Sequence, residues 1–269
     1  MRLRVEGRSS AKGPLPAWLS DAARFDVVGL RPGSTVLDLE APNLGDASPA
    51  QFAQGDFFRD IPPDKSCLSI MDESLADAVA GQADSELYDD DLISVFEDFS
   101  LLLNSDVRAI EITGPTPVRV THEGATRISE LRRRTPPSRR VRVAGRIDQI
   151  RHSDLMFTLV LESGQGLRGL ADEAQGEELR KFWGKDAIVS GRGVFRPSGG
   201  ILRIEADQIG PPEGDMSMWS DMPRPLDTDL ERRSLVVPQG PRSGINAIFG
   251  KWPGDESDEE VAARLRQLS

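Results

Sequence analysis

The chain has 269 residues and a formal net charge of -11, with 38% hydrophobic residues, 25 Gly, 19 Pro and one cysteine, Cys67. At roughly 100–200 residues per domain, this length predicts two domains or one domain with a small second one, and a lone cysteine excludes an internal disulfide and a thiolate zinc site. The acidic balance disfavours a protein that wraps duplex DNA. Because no apolar run suits a signal peptide or a membrane span of about 18 residues, we expect a cytoplasmic protein without membrane association.

The first segment, residues 1–135, is predicted to be a small α+β domain of unknown role. Apolar residues that alternate with charged ones at Leu3 and Val5 indicate a strand, and residues 43–65 are rich in Pro, Gly and Asp, which is typical of a loop. The other predicted elements are helices at 14–23, 75–80, 92–103 and 126–134, a hairpin at 27–39, and strands at 107–112 and 118–120.

An acidic block lies within this segment. Between Glu40 and Asp106 there are 16 acids against Arg59 and Lys65. A basic block follows between residues 132 and 151, and we expect the two blocks to be able to face one another within the molecule. The run Asp89–Asp91 resembles a metal site, but acids at a helix start favour the positive end of the helix dipole, so we expect it to begin the helix at 92–103.

The second segment, residues 136–210, is predicted to be an OB-like five-stranded β-barrel. Its pattern is three strands, a short helix and two more strands within about 70 residues. A small β-sandwich or an SH3-like barrel is the alternative. Alternation places Phe157 in the core and leaves Phe195 free, while Phe182 and Trp183 belong to the helix that plugs the barrel.

Residues 211–242 form a predicted Pro-rich linker, which is typical of an extended, poorly packed segment. Four large apolar residues interrupt its polarity. They either tuck the linker onto the barrel or form a patch that binds a partner; they are Met216, Met218, Trp219 and Met222. The whole chain is therefore predicted to be α+β, with an N-terminal α+β domain, an OB-like barrel and an extended tail.

The tail, residues 243–269, consists of two short amphipathic pieces joined at Pro253–Gly254. The first has apolar residues at i, i+3, i+4 and i+7, and the second begins with the capping box Ser257-x-x-Glu260. These stripes need to be buried, either on the chain's own barrel or in the groove of a partner protein. The apolar residues are Ile245, Ile248, Phe249 and Trp252 in the first piece, and Val261, Leu265 and Leu268 in the second.

The string FGKWPGDESDEEVAARLRQLS resembles the C-terminal tails of bacterial antitoxins from toxin–antitoxin pairs, over residues 245–268. The resemblance implies that the tail wraps a cognate toxin, often a PIN-type ribonuclease, and that Lys251, Arg264 or Arg266 enters its acidic metal site. Such antitoxins are usually short and carry a small DNA-binding N-terminal module, and no such module is recognised in this sequence. We therefore expect an antitoxin-like protein that neutralises a protein toxin.

Catalytic and cofactor signatures are not apparent in the sequence. Its two histidines, His122 and His152, belong to no Cys/His or Ser/His signature and have no metal-ligand spacing. The glycines of GRGVFRPSGG do not follow the pattern of a phosphate-binding loop. We therefore expect no enzyme activity, no catalytic residues, no bound metal and no cofactor.

The alternative function is an OB-fold adaptor or nucleic-acid-binding protein, in which an Arg-rich stretch tracks a nucleic-acid backbone. The stretch contains eight arginines against Asp148. A solvated role, or pairing with the acidic block, is the competing interpretation. The residues are Arg132, Arg133, Arg134, Arg139, Arg140, Arg142, Arg146 and Arg151.

Overall fold

A computed structural model describes residues 2–8, 16–31, 36–52, 61–104, 106–151, 154–212, 214 and 217–225, all within one compact unit that ends at Pro225. The predicted tail, residues 243–269, lies outside these ranges, as does most of the predicted linker. The described chain contains both helices and strands, which confirms the α+β class. Its helices are α1 (Arg2–Glu6), α2 (Ala17–Ala22), α3 (Leu44–Ala47), α4 (Pro49–Phe52), α5 (Cys67–Ala80), α6 (Asp90–Glu97), α7 (Phe99–Leu102), α8 (His122–Arg134) and α9 (Gly176–Lys181).

The strands fall into two small hairpins and one barrel. Two-stranded antiparallel sheets are formed by β1 with β2 and by β3 with β4. The remaining strands close into the barrel. The strands are β1 (Asp26–Arg31), β2 (Val36–Glu40), β3 (Ala109–Ile112), β4 (Val118–Thr121), β5 (Arg139–Arg151), β6 (Met156–Val160), β7 (Gly166–Ala171), β8 (Asp186–Phe195) and β9 (Ile201–Gly210).

The start of the chain differs from the prediction. The strand predicted around Leu3 and Val5 is wrong, since these residues lie in α1. A salt bridge of 3.1 Å joins Arg2 Nε to Glu6 Oε2 across one helical turn, an i,i+4 pairing that favours the helix. The predicted loop at 43–65 contains the single-turn helices α3 and α4.

Capping explains where the longer N-terminal helices begin. At α5, the Ser66 hydroxyl accepts a hydrogen bond from the Ser69 amide at 3.3 Å, and the Ser69 side chain accepts one from the Ser66 amide. At α8, Thr121 Oγ1 accepts from the Gly124 amide at 3.3 Å. Both helices begin earlier than apolar periodicity alone predicts, because a capping side chain sets the first turn. The helix predicted at 92–103 is divided into α6 and α7 at Asp98.

The N-terminal helices and the β3–β4 hairpin share one core. Helices α5, α6 and α8 bury their apolar faces against each other and against β4. The buried residues are Leu75, Ala78, Tyr88, Ile93, Phe96, Leu103, Val118, Val120, Ala125, Ile128 and Leu131.

The barrel has the order β5-β6-β7-β9-β8 and closes through β8 against β5. The β7–β9 pairing is parallel and the others are antiparallel. Helix α9 lies between β7 and β8 in the chain, and Leu179 from it is buried in the barrel core. This closed five-stranded barrel is compatible with the OB-like prediction. As expected from alternation, Phe157, Leu159 and Leu161 point inwards.

Candidate functional site

The outer face of β6 and β7 is the surface with which OB barrels typically hold ligands, together with their first and fourth loops. Here the start of the chain lies on that face. Arg151 Nη2 donates to the Val5 carbonyl at 3.1 Å, and Arg8 Nη2 donates to the Ala171 carbonyl at 3.3 Å. Gly7 fits so closely that a Cβ there would come within 2.8 Å of Met156 Cε. The N-terminal segment thus occupies part of this face.

The loop between α5 and α6 covers the next part of the barrel. Glu86 accepts hydrogen bonds from Arg196 at 2.7 Å and from Arg168 at 3.4 Å. The Ser198 amide, in the turn between β8 and β9, donates to the Ala83 carbonyl at 3.2 Å. The turn that corresponds to the fourth loop of an OB barrel is therefore also engaged by the chain itself.

A buried ion pair also joins the start of α6 to the barrel, next to the contact of the α5–α6 loop. Arg203 of β9 and Asp89, the N-cap of α6, are 2% and 4% exposed, and Arg203 Nη2 lies 3.1 Å from Asp89 Oδ2. The same nitrogen lies 3.1 Å from Glu205 Oε1. Asp89 Oδ1 also accepts from the Leu92 amide at 3.2 Å, which confirms that the Asp89–Asp91 run begins a helix. The sequence signal for this pair was one arginine within an otherwise apolar stretch of β9.

The Arg-rich stretch is divided between two elements. Arg132, Arg133 and Arg134 lie in the last turn of α8, and the others lie along β5. Arg132 of α8 pairs with two acidic residues of α6, Asp90 at 2.8 Å and Glu97 at 3.4 Å. Part of the basic block thus meets part of the acidic block.

Along β5, the arginines have different surroundings. Arg140 forms a two-pronged pair with Asp207 at 2.8 and 2.9 Å. Arg151 pairs with Asp154, and Arg139 donates to the Arg224 carbonyl. Arg133, Arg134, Arg142 and Arg146 are exposed. The structure therefore brings together Arg139, Arg140 and Arg142, and keeps the α8 arginines on a separate element.

An open cleft of about 560 Å³ lies beside these three arginines. We call it the β5 cleft. Residues of β5, β8 and β9 form one side and residues 218–223 form the other. Met222 packs against the barrel core, and Arg142 Cζ lies 5.4 Å from the centre of the Trp219 ring, so this part of the predicted linker is tucked onto the barrel. The lining residues are Arg139, Arg140, Val141, Arg142, Ser190, Gln208, Met218, Trp219, Asp221, Met222 and Pro223.

The barrel aromatics only partly match the prediction. Phe157 is buried as predicted, but the prediction of a free Phe195 is wrong, since its side chain lies in the barrel core. Alternation along β8 places Phe195 on the same inward face as Ala187 and Val189. Trp183, which follows α9, is an exposed aromatic residue of the barrel region, and its Nε1 donates to the Asp148 carbonyl at 3.2 Å.

The candidate catalytic groups are dispersed. His122 is exposed at the first position of α8, and His152 lies outside the described residues. Burial raises the pKa of Asp90, although the neighbouring Arg132 acts in the opposite direction. Among the residues that the structure describes, no three His, Cys, Asp or Glu side chains are grouped so that they could hold a metal ion.

The β1–β2 hairpin turns an apolar face outwards. Val27 lies opposite Leu39 in the ladder, and Leu37 lies two residues from Leu39, so the three side chains share one face. They are 60%, 43% and 53% exposed, respectively. We call these three side chains the hairpin face. Asp26 and Glu40 lie opposite each other in the next pair of the same ladder and place two acidic groups at that end of the hairpin.

The predicted partner-binding residues of the tail all lie outside the described residues. They are Ile245, Ile248, Phe249, Lys251, Trp252, Val261, Arg264, Leu265, Arg266 and Leu268. The described helices include none that is long and apolar enough to cross a bilayer.

Comparison with known proteins assigns no family to this chain: no family model matches it, and no curated protein matches it at a significant level.

Proposed function

We propose that this protein is antitoxin-like: it binds and neutralises a protein toxin of the PIN-type ribonuclease class through residues 245–268. In this proposal the hairpin face adds a second contact, and the remainder of the chain acts as a scaffold. The structural observation that supports protein binding is the hairpin face, an apolar surface turned towards solvent. The tail resemblance supplies the class of partner. The proposal involves no enzyme activity of the chain itself and no cofactor.

The hairpin face supports this proposal because its three large apolar side chains are 43–60% exposed and not packed into a core. Large exposed apolar patches with polar rims are typical of protein-binding surfaces. An isolated two-stranded sheet is also marginal in water and gains stability from a third strand or a packed surface. The acidic groups of Asp26 and Glu40, at one end of the hairpin, would be attracted to the cationic surface that a ribonuclease needs to hold RNA.

The tail supplies basic residues that can pair with acidic groups of the partner. A metal-dependent ribonuclease holds magnesium with a cluster of carboxylates, and an arginine forms strong, often two-pronged pairs with such groups. In this proposal Lys251, Arg264 or Arg266 enters that cluster. The large side chains Phe249 and Trp252 anchor the tail, because aromatic residues commonly carry much of the binding energy of an interface.

The proposal is tested by co-expression with the protein encoded by the adjacent reading frame. That protein should arrest growth when expressed alone, and the full chain should bind it and restore growth. Deletion of residues 243–269 should abolish both effects. Arrest without rescue by the full chain, or unchanged rescue by the deletion variant, would contradict the proposal; so would a neighbour that does not arrest growth.

The contribution of the hairpin face is tested separately. Leu37→Glu and Leu39→Glu should weaken binding of the same partner, because a charge would then be buried against an apolar surface. Leu101→Glu, at an exposed apolar position on α7, is the matched control and should bind as the unmodified chain does. Equal affinity for all variants would restrict the interface to the tail.

The second candidate is an OB-fold nucleic-acid adaptor that uses residues 132–151. It is favoured by one observation, the exposure of Arg142 and Arg146 on the same outward face of β5. Binding of a 12-nucleotide single strand should then occur in the micromolar range and weaken steeply with salt. Absence of salt-dependent binding would reject it.

A further inference from the structure

The guanidinium of Arg142 is the most distinctive group of the β5 cleft. It is exposed, and it is held over the Trp219 ring at 5.4 Å. No carboxylate of the described residues pairs with it within 4.0 Å. A cation–π contact attracts the positive charge and does not use the N–H groups of the guanidinium as donors to an anion. Arg142, which lines the cleft, can therefore supply N–H donors there.

Two neutral polar side chains lie beside this guanidinium. Ser190 and Gln208 oppose each other in the β8–β9 ladder, and Arg142 pairs with Ser190 in the β5–β8 ladder. All three line the cleft and also an adjoining recess of about 250 Å³. A hydroxyl and an amide next to a guanidinium form a set of donors that suits a planar carboxylate.

The charge of the cleft favours a ligand with one anionic group. Arg140 is already neutralised by its two-pronged pair with Asp207. The two other arginines, Arg139 and Arg142, face one lining carboxylate, that of Asp221. One positive charge is therefore in excess, which suits a monoanion, whereas a polyanionic strand would meet the repulsion of Asp221.

The rest of the lining is apolar. Val141, Met218, Met222 and Pro223 line the cleft together with the Trp219 ring, and Met218 is 79% exposed. Small-molecule sites are typically about 300–1,000 Å³ and combine an apolar lining with a few oriented polar groups. The volume of the β5 cleft, about 560 Å³, falls within that range, and its lining joins an apolar part to the polar groups described above.

From this arrangement we infer that the β5 cleft is a binding site for a small amphipathic carboxylate. The carboxylate pairs with Arg142 and is oriented by Ser190 and Gln208. An apolar body of a few carbon atoms lies against Met218, Trp219 and Met222. This site is independent of the toxin-binding function proposed for the tail.

The inference is tested by calorimetric titration of the full chain with two matched probes. N-acetyl-leucine carries the carboxylate and the apolar body, while N-acetyl-leucinamide carries the body alone. We expect the acid to bind and the amide to bind at least about tenfold more weakly, since charge-assisted hydrogen bonds are lost. Equal binding of both probes, or no binding of either at millimolar concentration, would overturn the inference.

Two variants locate the site. Arg142→Gln should weaken binding of N-acetyl-leucine by about tenfold or more, and Asp221→Asn should strengthen it by removing a like charge. The matched control is Arg146→Gln, which removes an exposed arginine from the same strand outside the cleft and should leave binding unchanged. An equal loss in the Arg142 and Arg146 variants would indicate general charge attraction and would contradict the site.

A third titration with a 12-nucleotide thymidine strand separates the site from nucleic-acid binding. We expect the strand not to bind tightly at the cleft. Tight binding of this kind would weaken with salt and would be lost in Arg142→Gln. If the strand binds in this way while N-acetyl-leucine does not, the cleft is a nucleic-acid surface and the carboxylate site is rejected.

Discussion

Arg203 and Asp89 show at the residue scale how a buried charge can be tolerated. Arg203 Nη2 serves both Asp89 and Glu205, while Arg203 Nε and Nη1 are buried without a hydrogen-bond partner among the described residues. A buried pair is costly to form, since both ions leave water, and costly to break, since one ion then remains uncompensated. The pair therefore specifies how β9 meets the start of α6 more than it adds stability.

We predict that Arg203→Met destabilises the protein by about 3–5 kcal/mol, because the carboxylate of Asp89 stays buried without its partner. Asp89→Asn, which retains an N-cap oxygen, should also destabilise. The double variant should lose less free energy of unfolding than the sum of the two, as measured by urea denaturation. Additive losses would show that the two charges do not interact. Arg140→Ala, at an exposed pair, is the control and should cost at most about 1 kcal/mol.

Asp72 is a second buried charge, and it has less compensation. Its side chain is buried in α5, and its Oδ1 has no hydrogen-bond partner among the described residues. Burial raises the pKa of the Asp72 carboxyl, and the neighbouring Glu73 adds to the increase. A raised folded-state pKa means that ionisation costs stability at neutral pH, and that this cost disappears as pH falls below the unfolded-state pKa.

Asp72→Asn is therefore expected to raise the free energy of unfolding at pH 7 by on the order of 1 kcal/mol, since no charge is then buried. The advantage should vanish near pH 3, where the native side chain is protonated in both states. Urea denaturation of both proteins at the two pH values measures this difference. A gain that persists unchanged at pH 3 would exclude the charge as its cause.

At the scale of single elements, glycines allow the barrel to close. A Cβ at Gly191 of β8 would lie 2.1 Å from the Glu205 backbone oxygen, so β8 and β9 pack closer there than any side chain permits. The register also shifts between Ser190 and Gly191. A bulge increases local strand twist, and a glycine beside it lets the backbones approach.

Gly191→Ala is accordingly predicted to destabilise the barrel by about 2 kcal/mol or more, because the methyl group meets backbone rather than an adjustable side chain. Gly210→Ala provides the comparison: a Cβ there has no neighbour within 4 Å among the described residues. Gly210→Ala should change the free energy of unfolding by less than about 0.5 kcal/mol. Similar losses in both variants would remove close packing as the explanation.

The predicted elements succeed where a local pattern is sufficient. The alternation in β6 placed Phe157 inwards, and Asp89 was recognised as part of a helix start, because spacing and capping act within a few residues. The strand predicted around Leu3 failed for the opposite reason. Two apolar residues at a spacing of two also fit a short helix. The choice depends on tertiary packing, since Val5 packs against a cluster that includes Ala22, Leu44 and Ile70.

For the whole molecule, the main feature is that the N-terminal region and the barrel share contacts across long stretches of sequence. Arg203 meets Asp89, Arg196 meets Glu86, and Arg151 meets the Val5 carbonyl. Because these bonds join the two regions at separate places, the described unit should unfold as one.

We predict a single cooperative unfolding transition for this unit, since separation of the regions would expose the buried charges of the Arg203–Asp89 pair. Variants that retain only Trp18 or only Trp219 report on the two regions, because Trp18 packs edge-on against Phe52 and Trp219 stacks on Arg142. Their fluorescence midpoints in urea should coincide. Two distinct midpoints would show that the regions fold independently.

The sequence by itself determined the α+β class, the succession of barrel strands, the helix start at Asp89 and the tail motif on which the antitoxin-like proposal rests. Each of these depends on residues that are close in the chain, where spacing and side-chain chemistry are sufficient. Only the tertiary structure decided that the start of the chain occupies part of the outer face of β6 and β7 and that Arg203 and Asp89 pair. It also decided that the β5 cleft and the hairpin face are exposed among the described residues. Some of these features join segments that are more than 100 residues apart in sequence, as in the contacts of Arg203 with Asp89 and of Arg151 with Val5. The energy of such contacts depends on how whole elements pack against each other, and a local sequence pattern does not encode that packing.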